Sequence, residues 1–286
     1  MLLTIDIGNT NTVLGVYEDG EGEPALGAAP RDVASALPGS ASAGNDAPAA
    51  TQSWRIKTDP RATADELALI YRGLLADFPI TGVCACSTVP AAMRELRAML
   101  ARYYADAVTV LVEPGVKTGV SVVVDNPKEV GTDRICNTVA AHFLVDGPAI
   151  VVDFGTSTNF DVITARGEFI GGALAPGIEI SVDALAARAA QLRKVELVEP
   201  RSPIGKNTVE ALQSGILYGF AGQVDGLVRR LAAALAPAEP RSVTVIATGG
   251  LAPLAIAHST VVDRYEPELT LLGLKLIFER NVDRTG

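Results

Sequence analysis

The sequence predicts an α/β fold made of two related halves. Strand-like and helical patterns alternate along most of the chain, and the short apolar runs are rich in β-branched residues, as is typical of buried parallel strands. One pattern also occurs twice: an apolar strand, then Asp-x-Gly, a hydroxyl-rich turn and a second apolar run. It appears at DIGNTNT, after Leu2–Ile5, and at DFGTST, after Ala149–Val152. This weak internal repeat predicts two domains, residues 1–125 and 126–286.

Composition limits the class of protein. A chain of 286 residues with 48% hydrophobic residues suits two domains of ordinary size. The formal charge of −9 argues against nucleic acid or an anionic membrane as the main partner. Met1 leads directly into a strand without a basic leader, and no apolar run is long enough to cross a bilayer, so we expect a cytoplasmic protein.

Two residue types further restrict the chemistry. The cysteines Cys84, Cys86 and Cys136 lack the spacing of a disulfide framework or a zinc site, which favours reduced thiols in the core. Only two histidines, His142 and His258, are present. Ser-His-Asp hydrolysis and histidine-rich metal sites are therefore poorly supported.

The first half begins with a hairpin formed by strands Leu2–Ile5 and Val13–Tyr17. Residues 20–50 are rich in Gly, Ala, Pro and Ser and contain no aromatic residue, which predicts a disordered insertion. A strand follows at Gln52–Lys57, and the capping box Thr63-x-x-Glu66 begins a helix over Ala64–Leu75.

The rest of this half alternates strand and helix before a loop. We expect a strand at Gly82–Cys86, a helix that starts around Thr88 and Pro90 and ends near Tyr104, and a strand at Val108–Val112. The connector 113–126 contains Pro and Gly and is predicted to be a loop.

The second half repeats the alternation. The predicted elements, in order, are a helix over Thr132–Val145, a strand at Ala149–Val152, strands Phe160–Thr164 and Glu168–Gly172 joined at Arg166 and Gly167, a helix over Ile178–Ala190, a loop over 191–206, a long helix from Asn207 or Thr208 to Leu235, a strand at Val243–Ala247 that ends in Thr248-Gly249-Gly250, and a helix over Pro267–Glu279.

The repeated turns have the composition of phosphate-binding loops. Glycine frees backbone N–H groups, the hydroxyls are donors, and the single carboxylate can hold a cation. Asp6 is predicted to hold Mg²⁺ directly or through water, with the amides and hydroxyls of Gly8–Thr12 on the β- and γ-phosphates. The alternative is that Asp6 only caps the turn, since one Asp-x-Gly turn after a strand is ordinary hairpin chemistry.

A third motif, GTDR, begins the helix at Thr132. The helix dipole favours Asp133 as an anion, and Arg134 beside it can recognise an anionic group. Without further context, Asp133 would be a first-turn carboxylate and Arg134 a surface ion pair. Two later positions also remain open: Thr208 can contact a substrate or cap its helix, and Lys206 can bind phosphate or face solvent.

DIGNTNT, GTDR, DFGTSTNFD, GGALAPGI and IGKNT, in this order, resemble the type III pantothenate kinases of the actin-like, sugar kinase and Hsp70 ATPase superfamily. The resemblance covers nearly the whole chain apart from the segment after Asp19. It implies an α/β protein with two actin-like (ribonuclease H-like) domains and a cleft between them. It further implies a homodimeric enzyme that uses ATP, Mg²⁺ and K⁺ or NH₄⁺ to phosphorylate pantothenate to 4'-phosphopantothenate, the first step of coenzyme A biosynthesis.

The resemblance also assigns roles to individual residues. It implies Asp133 as the proton acceptor, Asp153 as a ligand of the monovalent cation, and Gly249-Gly250 as the adenosine-side turn. The implied ATP-binding residues are Asp6, Ile7, Gly8, Asn9, Thr10, Asn11, Thr12, Val13 and Thr156. The implied pantothenate-binding residues are Val124, Gly131, Thr132, Asp133, Arg134 and Thr208.

The chain departs from the family pattern at two places. Val124 stands where many relatives carry an aromatic residue, often Tyr, and Asn159 stands where Thr is commoner. Another kinase of the superfamily, acting on a sugar for example, would share both phosphate loops. A catalytically silent paralogue that binds ligand is the other alternative.

Overall fold

The computed structural model describes residues 1–18, 48–188, 195–235 and 242–282. Most of the predicted disordered insertion at 20–50 and the end of the helix predicted to reach Ala190 lie outside these residues. The chain forms two compact units, each built on one β-sheet. Among the described residues, unit 1 comprises 1–18, 48–144 and 268–282, and unit 2 comprises the rest of 145–267.

The predicted mixture of strands and helices is confirmed. Up to residue 144 the elements are β1 Leu2–Ile7, β2 Asn11–Tyr17, β3 Gln52–Lys57, α1 Ala64–Leu75, β4 Gly82–Ser87, α2 Pro90–Tyr103, β5 Val108–Leu111, β6 Ser121–Val122, a 3₁₀ turn Pro127–Glu129 and α3 Thr132–Leu144. The later elements are β7 Ala149–Phe154, β8 Ser157–Ile163, β9 Glu168–Pro176, α4 Ile178–Arg188, α5 Thr208–Leu235, β10 Thr244–Thr248, α6 Ala252–Ile256, β11 Arg264–Tyr265 and α7 Leu269–Asn281.

The sheet of unit 1 has the order β3-β2-β1-β4-β5. β1 is antiparallel to β2, and β2 to β3, whereas β1, β4 and β5 run parallel. Because side chains alternate along a strand, one face buries Leu3 and Ile5 against α1 and α2. The opposite face buries Leu2, Cys84 and Cys86 against α3 and α7.

Unit 2 repeats this plan. Its strands lie in the order β9-β8-β7-β10-β11, with β7–β8 and β8–β9 antiparallel and β7–β10 and β10–β11 parallel. The burial of side chains is also the same, position by position, along β1 and β7 and along β2 and β8. The internal repeat seen in the sequence is therefore a repeat of topology.

The hairpin strands extend further into the turns than the sequence predicts. Asp6 lies within β1 and Asp153 within β7, rather than in the turns that follow. The reason is a short backbone closure: Gly8 N–H donates to Asn11 O at 3.0 Å, and Gly155 N–H donates to Ser157 O at 3.0 Å. The strands consequently stay paired almost to the tip of each hairpin.

Unit 1 includes two helices that the sequence-based boundary at 125/126 places in the second domain. α3 packs against α7, and α7 packs on β1 and β4. Leu271, Leu274 and Ile277 of α7 are buried there in one cluster with Leu2 and Cys86. The helices approach so closely that a β-carbon on Gly273 would overlap the backbone of Cys136.

Across the described ranges, the helices are too short or too polar to cross a membrane.

Candidate active site

Asp6 lies near the carboxyl end of β1 on the sheet face that carries α3 and α7. Its neighbour on β4 is Cys86, whose thiol donates to Asp6 Oδ1 at 3.4 Å. Burial and the nearby charge of Asp133 raise the pKa of Asp6 to about 7, and Cys86 and Arg55 act in the opposite direction. Asp6 is thus a carboxylate whose charge the protein leaves largely uncompensated.

Asp133 sits in the first turn of α3, as predicted. Its Oδ1 accepts a hydrogen bond of 2.8 Å from the Arg134 N–H. Burial raises the pKa of Asp133 above its ordinary value of 3.8, while the Arg134 backbone N–H and guanidinium lower it in part. A β-carbon on Gly131 would overlap Asp133 Oδ1, so the glycine of GTDR leaves room for this carboxylate.

Hydrogen bonds at the end of β4 join the DIGNTNT and GTDR motifs. The Thr132 hydroxyl donates to Ser87 O at 3.2 Å, and the Ser87 hydroxyl donates to Ile7 O at 3.2 Å. The start of α3 is therefore tied through β4 to the end of β1. This explains how two motifs far apart in sequence place Asp6 and Asp133 within electrostatic reach of each other.

The first turn uses some of its donors internally. The Gly8 N–H is bonded to Asn11 O, and the hydroxyl of Thr12 is buried 2.9 Å from that of Thr58. Thr58 in turn donates to Gly8 O at 2.8 Å. Of the donors predicted to contact phosphate, Gly8 and Thr12 therefore shape the turn, while Asn9 and Thr10 are exposed at its tip.

The corresponding turn of unit 2 contains Asp153 and Thr156. Asp153 is half-buried and Thr156 is exposed. A β-carbon on Gly177 would overlap the carbonyl oxygens of Gly155 and Thr156, so the turn packs tightly on the start of α4. Gly249, with φ +93°, packs in the same way against the backbone of Phe154.

Thr208 is exposed at the start of α5, in unit 2. Asn207 Oδ1 accepts the Glu210 N–H at 3.0 Å and so caps this helix. The alternative in which Thr208 is the cap is therefore wrong. Val124 is half-buried in a bend after β6.

The family model of the type III pantothenate kinases matches residues 2–230. The chain belongs to this family. It is 61% identical over 282 residues to the type III pantothenate kinase of Frankia alni, which covers 99% of this chain and all of that protein. It is 60% identical over 283 residues to that of Saccharopolyspora erythraea, with 98% of this chain and 99% of that protein covered.

Solved structures show the same fold at low sequence identity. A Campylobacter jejuni protein described as a Baf family transcriptional activator superposes with a TM-score of 0.56 at 16% identity, covering 98% of both chains. A Sinorhizobium meliloti protein described as a 2-dehydro-3-deoxygalactonokinase has a TM-score of 0.52 at 12% identity, covering 100% of this chain and 98% of that one. Within the pantothenate kinase family, this chain therefore keeps a fold shared with distant proteins.

The donor chemistry fits the cations that the family resemblance implies. In the described part of the chain, no three His, Cys, Asp or Glu side chains converge on one point. Asp6 could contribute one carboxylate to Mg²⁺, which is usually held by one or two carboxylates together with substrate phosphates and water. Burial and the charge of Asp133 raise the pKa of Asp6, so a cation bound there would stabilise its charged form. Asp153, a carboxylate beside a hydroxyl-rich turn, offers oxygen ligands of the kind that K⁺ takes.

Two residues near Asp6 were missed by sequence reasoning. Cys86 lies on β4, one residue before its end, and Arg55 lies on β3. Cys86 could have been found by assuming that β1 and β4 are parallel neighbours, because functional side chains gather at the carboxyl ends of parallel strands. Arg55 carries no such signal, since only the register of β2 and β3 aligns it with Asp6.

Proposed function

We propose that this protein transfers the γ-phosphate of ATP to the hydroxyl of pantothenate, giving 4'-phosphopantothenate in the first step of coenzyme A biosynthesis. Its membership in the type III pantothenate kinase family supports this activity. The structural observation that carries the proposal is the pairing of Asp6 and Asp133 in one buried site, where the charge of one raises the pKa of the other.

In this mechanism Asp133 is the general base. Its carboxylate accepts the proton of the pantothenate hydroxyl as that oxygen bonds to the γ-phosphorus. The bond from phosphorus to the bridging oxygen breaks, and ADP leaves. Burial favours this role because the raised pKa of Asp133 makes the carboxylate a stronger proton acceptor. The hydrogen bond from Arg134 N–H fixes its orientation.

The remaining residues position the two substrates. Val124, Gly131, Thr132 and Thr208 are assigned to pantothenate, with Arg134 on its carboxylate, and the segment Asp6–Val13 together with Thr156 is assigned to ATP. Asp6 would hold Mg²⁺, and Asp153 would hold K⁺ or NH₄⁺. When bound, these ions supply positive charge that stabilises the polyphosphate during transfer. We further propose that the enzyme works as a homodimer in the cytoplasm, which light scattering of the purified protein and cell fractionation would check.

A coupled assay of ADP release with pantothenate, with and without K⁺, tests the function. Asp133→Asn keeps the shape of the side chain but removes its basicity, so we expect kcat to fall about 10²- to 10⁴-fold. Asp77→Asn is the matched control, because Asp77 is exposed after α1, which packs on the other face of the sheet.

Three outcomes would contradict parts of this proposal. Turnover of a sugar without turnover of pantothenate would identify another kinase of the superfamily. Pantothenate binding by calorimetry without product would indicate a silent paralogue. Full activity in Asp133→Asn would contradict the assignment of the base.

A further inference from the structure

Arg55 shares a row of the unit 1 sheet with Asp6. In the antiparallel registers Asp6 is opposite Val13, and Val13 is opposite Arg55. Directly opposed residues of antiparallel strands point to the same face, so all three side chains lie on the face that carries α3. Two strand spacings separate Arg55 from Asp6, about 10 Å between backbones. A long arginine side chain passing over the smaller Val13 can cover most of that distance.

The registers place Arg55 two strands away from Asp6 on one face of the sheet. Arg55 is exposed, and within the described ranges its guanidinium has no hydrogen-bonded or ion-paired partner. By contrast, Arg94, Arg97 and Arg102 on α2 are each paired with a carboxylate. Within the described part of the chain, the guanidinium of Arg55 is thus not engaged by another side chain.

The topological repeat supplies an internal comparison. In unit 2 the equivalent row runs from Asp153 through Asn159 to Leu174. Leu174 is 65% exposed, so the position that holds arginine in unit 1 holds a solvent-facing apolar residue in unit 2. The arginine in this row is therefore specific to unit 1 and is not a general feature of the repeat.

The negative charges around Asp6 indicate a role for the guanidinium of Arg55. Asp6 and Asp133 are two neighbouring carboxylates, and the terminal phosphates of ATP would add more negative charge than one Mg²⁺ on Asp6 balances. Arg134 is next to Asp133 and is assigned to the carboxylate of pantothenate. A second guanidinium is suited to the phosphates, since its planar fork of N–H donors matches phosphate oxygens.

We propose that Arg55 binds the β- and γ-phosphates of ATP. This inference rests on the proposed function, because it assumes that the Asp6 turn receives the polyphosphate. It assigns Arg55 a role in contact with substrate, alongside the residues of the Asp6 turn itself.

Calorimetry with the full-length protein tests the proposal with a non-hydrolysable ATP analogue, ADP and AMP in turn. For Arg55→Gln we expect the affinity for the ATP analogue to fall about 10- to 100-fold, as for the loss of charge-assisted hydrogen bonds. The loss should be smaller for ADP and absent for AMP, which lacks both phosphates. Arg55→Lys should recover part of the affinity, because it restores the charge without the fork.

Arg94→Gln is the matched control. Arg94 has a side chain that is 75% exposed and lies on α2, on the opposite face of the sheet, so its removal should leave all three affinities unchanged. Thermal unfolding of each variant checks that the fold is intact.

The proposal is overturned if Arg55→Gln binds the ATP analogue as tightly as the wild type, if AMP is weakened equally, or if KM for pantothenate rises while KM for ATP does not. If the wild type phosphorylates pantothenate and Arg55→Gln binds the ATP analogue equally tightly, only the role of Arg55 is rejected. If the wild type binds the analogue but does not phosphorylate pantothenate, the proposed function is rejected, and the calorimetric comparison still tests the role of Arg55.

Discussion

Asp6 and Asp133 lie against an apolar cluster that includes Cys86 and Cys136, both completely buried. Desolvation is the largest cause of the raised pKa of both carboxyls. In the nucleotide-free protein, the fold must therefore either accommodate unfavourable negative charge or take up a proton. Such strain is common at functional sites.

This strain predicts how stability depends on pH. The pKa of Asp6 is about 7 in the folded protein and 3.8 in the unfolded chain. Between these pH values the folded state therefore binds more protons than the unfolded state. The contribution of Asp6 to stability is therefore fully present below pH 3.8 and is lost as pH rises through about 7. Asp6→Asn cannot lose a proton, and we expect it to be more stable than the wild type at pH 8 by about 2 kcal/mol.

Urea denaturation of the nucleotide-free protein at several pH values measures this difference. The expected difference in the free energy of unfolding is about half of what the full pKa shift would give, because Asp6 keeps some contact with solvent. The exposed Asp77→Asn variant should follow the wild-type curve. Parallel curves for Asp6→Asn and wild type across this pH range would show that the carboxylate is not strained.

At the scale of elements, local signals predicted well and non-local ones did not. β3 and α1 have the predicted bounds, and the Thr63–Glu66 capping box is present, because a strand pattern and a helix cap are encoded by neighbouring residues. The ends of β1 and β7 were placed too early, since a pairing partner across the hairpin extends each strand. The packing of α3 and α7 in one unit was also not predictable, because their amphipathic patterns do not indicate which sheet they cover.

The contact between α3 and α7 gives a paired prediction. In Gly273→Ala the new β-carbon would overlap the backbone of Cys136, which cannot move without shifting α3. We expect a loss of about 1 to 3 kcal/mol, as for overpacked cores. Gly73→Ala is the control: it lies in α1 with open space around it, and alanine there should stabilise by about 0.5 to 1 kcal/mol.

Chemical denaturation measures the free energy of unfolding of both variants, and the sign of each change tests the close packing of α3 and α7. Equal effects in Gly273→Ala and Gly73→Ala would mean that helix propensity, rather than close packing, sets the cost. Stabilisation by Gly273→Ala would mean that α3 and α7 are not held at this distance.

For the whole molecule, the sequence predicted the motifs of the site but not all of its members. DIGNTNT and GTDR were identified from their residues and order, and the structure brings Asp6 and Asp133 close enough to interact. Cys86 and Arg55 depend on strand order and register, which single-sequence patterns do not supply. Asp153, Thr156 and Thr208 lie in unit 2, and their roles remain predictions.

The path of the chain explains why the unit boundaries differ from the sequence-based ones. The chain completes the sheet of unit 1, adds α3, builds unit 2 and then returns as α7 to unit 1. The final helix thus covers the first strand: Leu274 and Ile277 share a buried cluster with Leu2 and Tyr17. A single cut in the sequence cannot separate units that are connected in this way.

This topology predicts which half of the chain depends on its C-terminus. A chain that ends after Pro267 lacks α7, and each buried side chain lost, such as Leu271, Leu274 or Ile277, is worth about 1.5 to 3 kcal/mol. Their sum approaches or exceeds the whole stability of an ordinary domain, about 5 to 15 kcal/mol. Unit 1 should therefore unfold although only its last helix is missing. Unit 2 has its own buried cluster, which includes Ile150 and Val245, and should stay folded.

Hydrogen exchange followed by mass spectrometry distinguishes the two units in one experiment. In the truncated chain, peptides from β1 and β4 should exchange as fast as unfolded ones, whereas peptides from β7 and β10 keep their protection. A chain that ends after Val282 keeps all of α7 and should protect all four strands. Protection of β1 without α7 would mean that α1 and α2 alone stabilise the first sheet. Loss of protection in β7 as well would mean that unit 2 does not fold without unit 1.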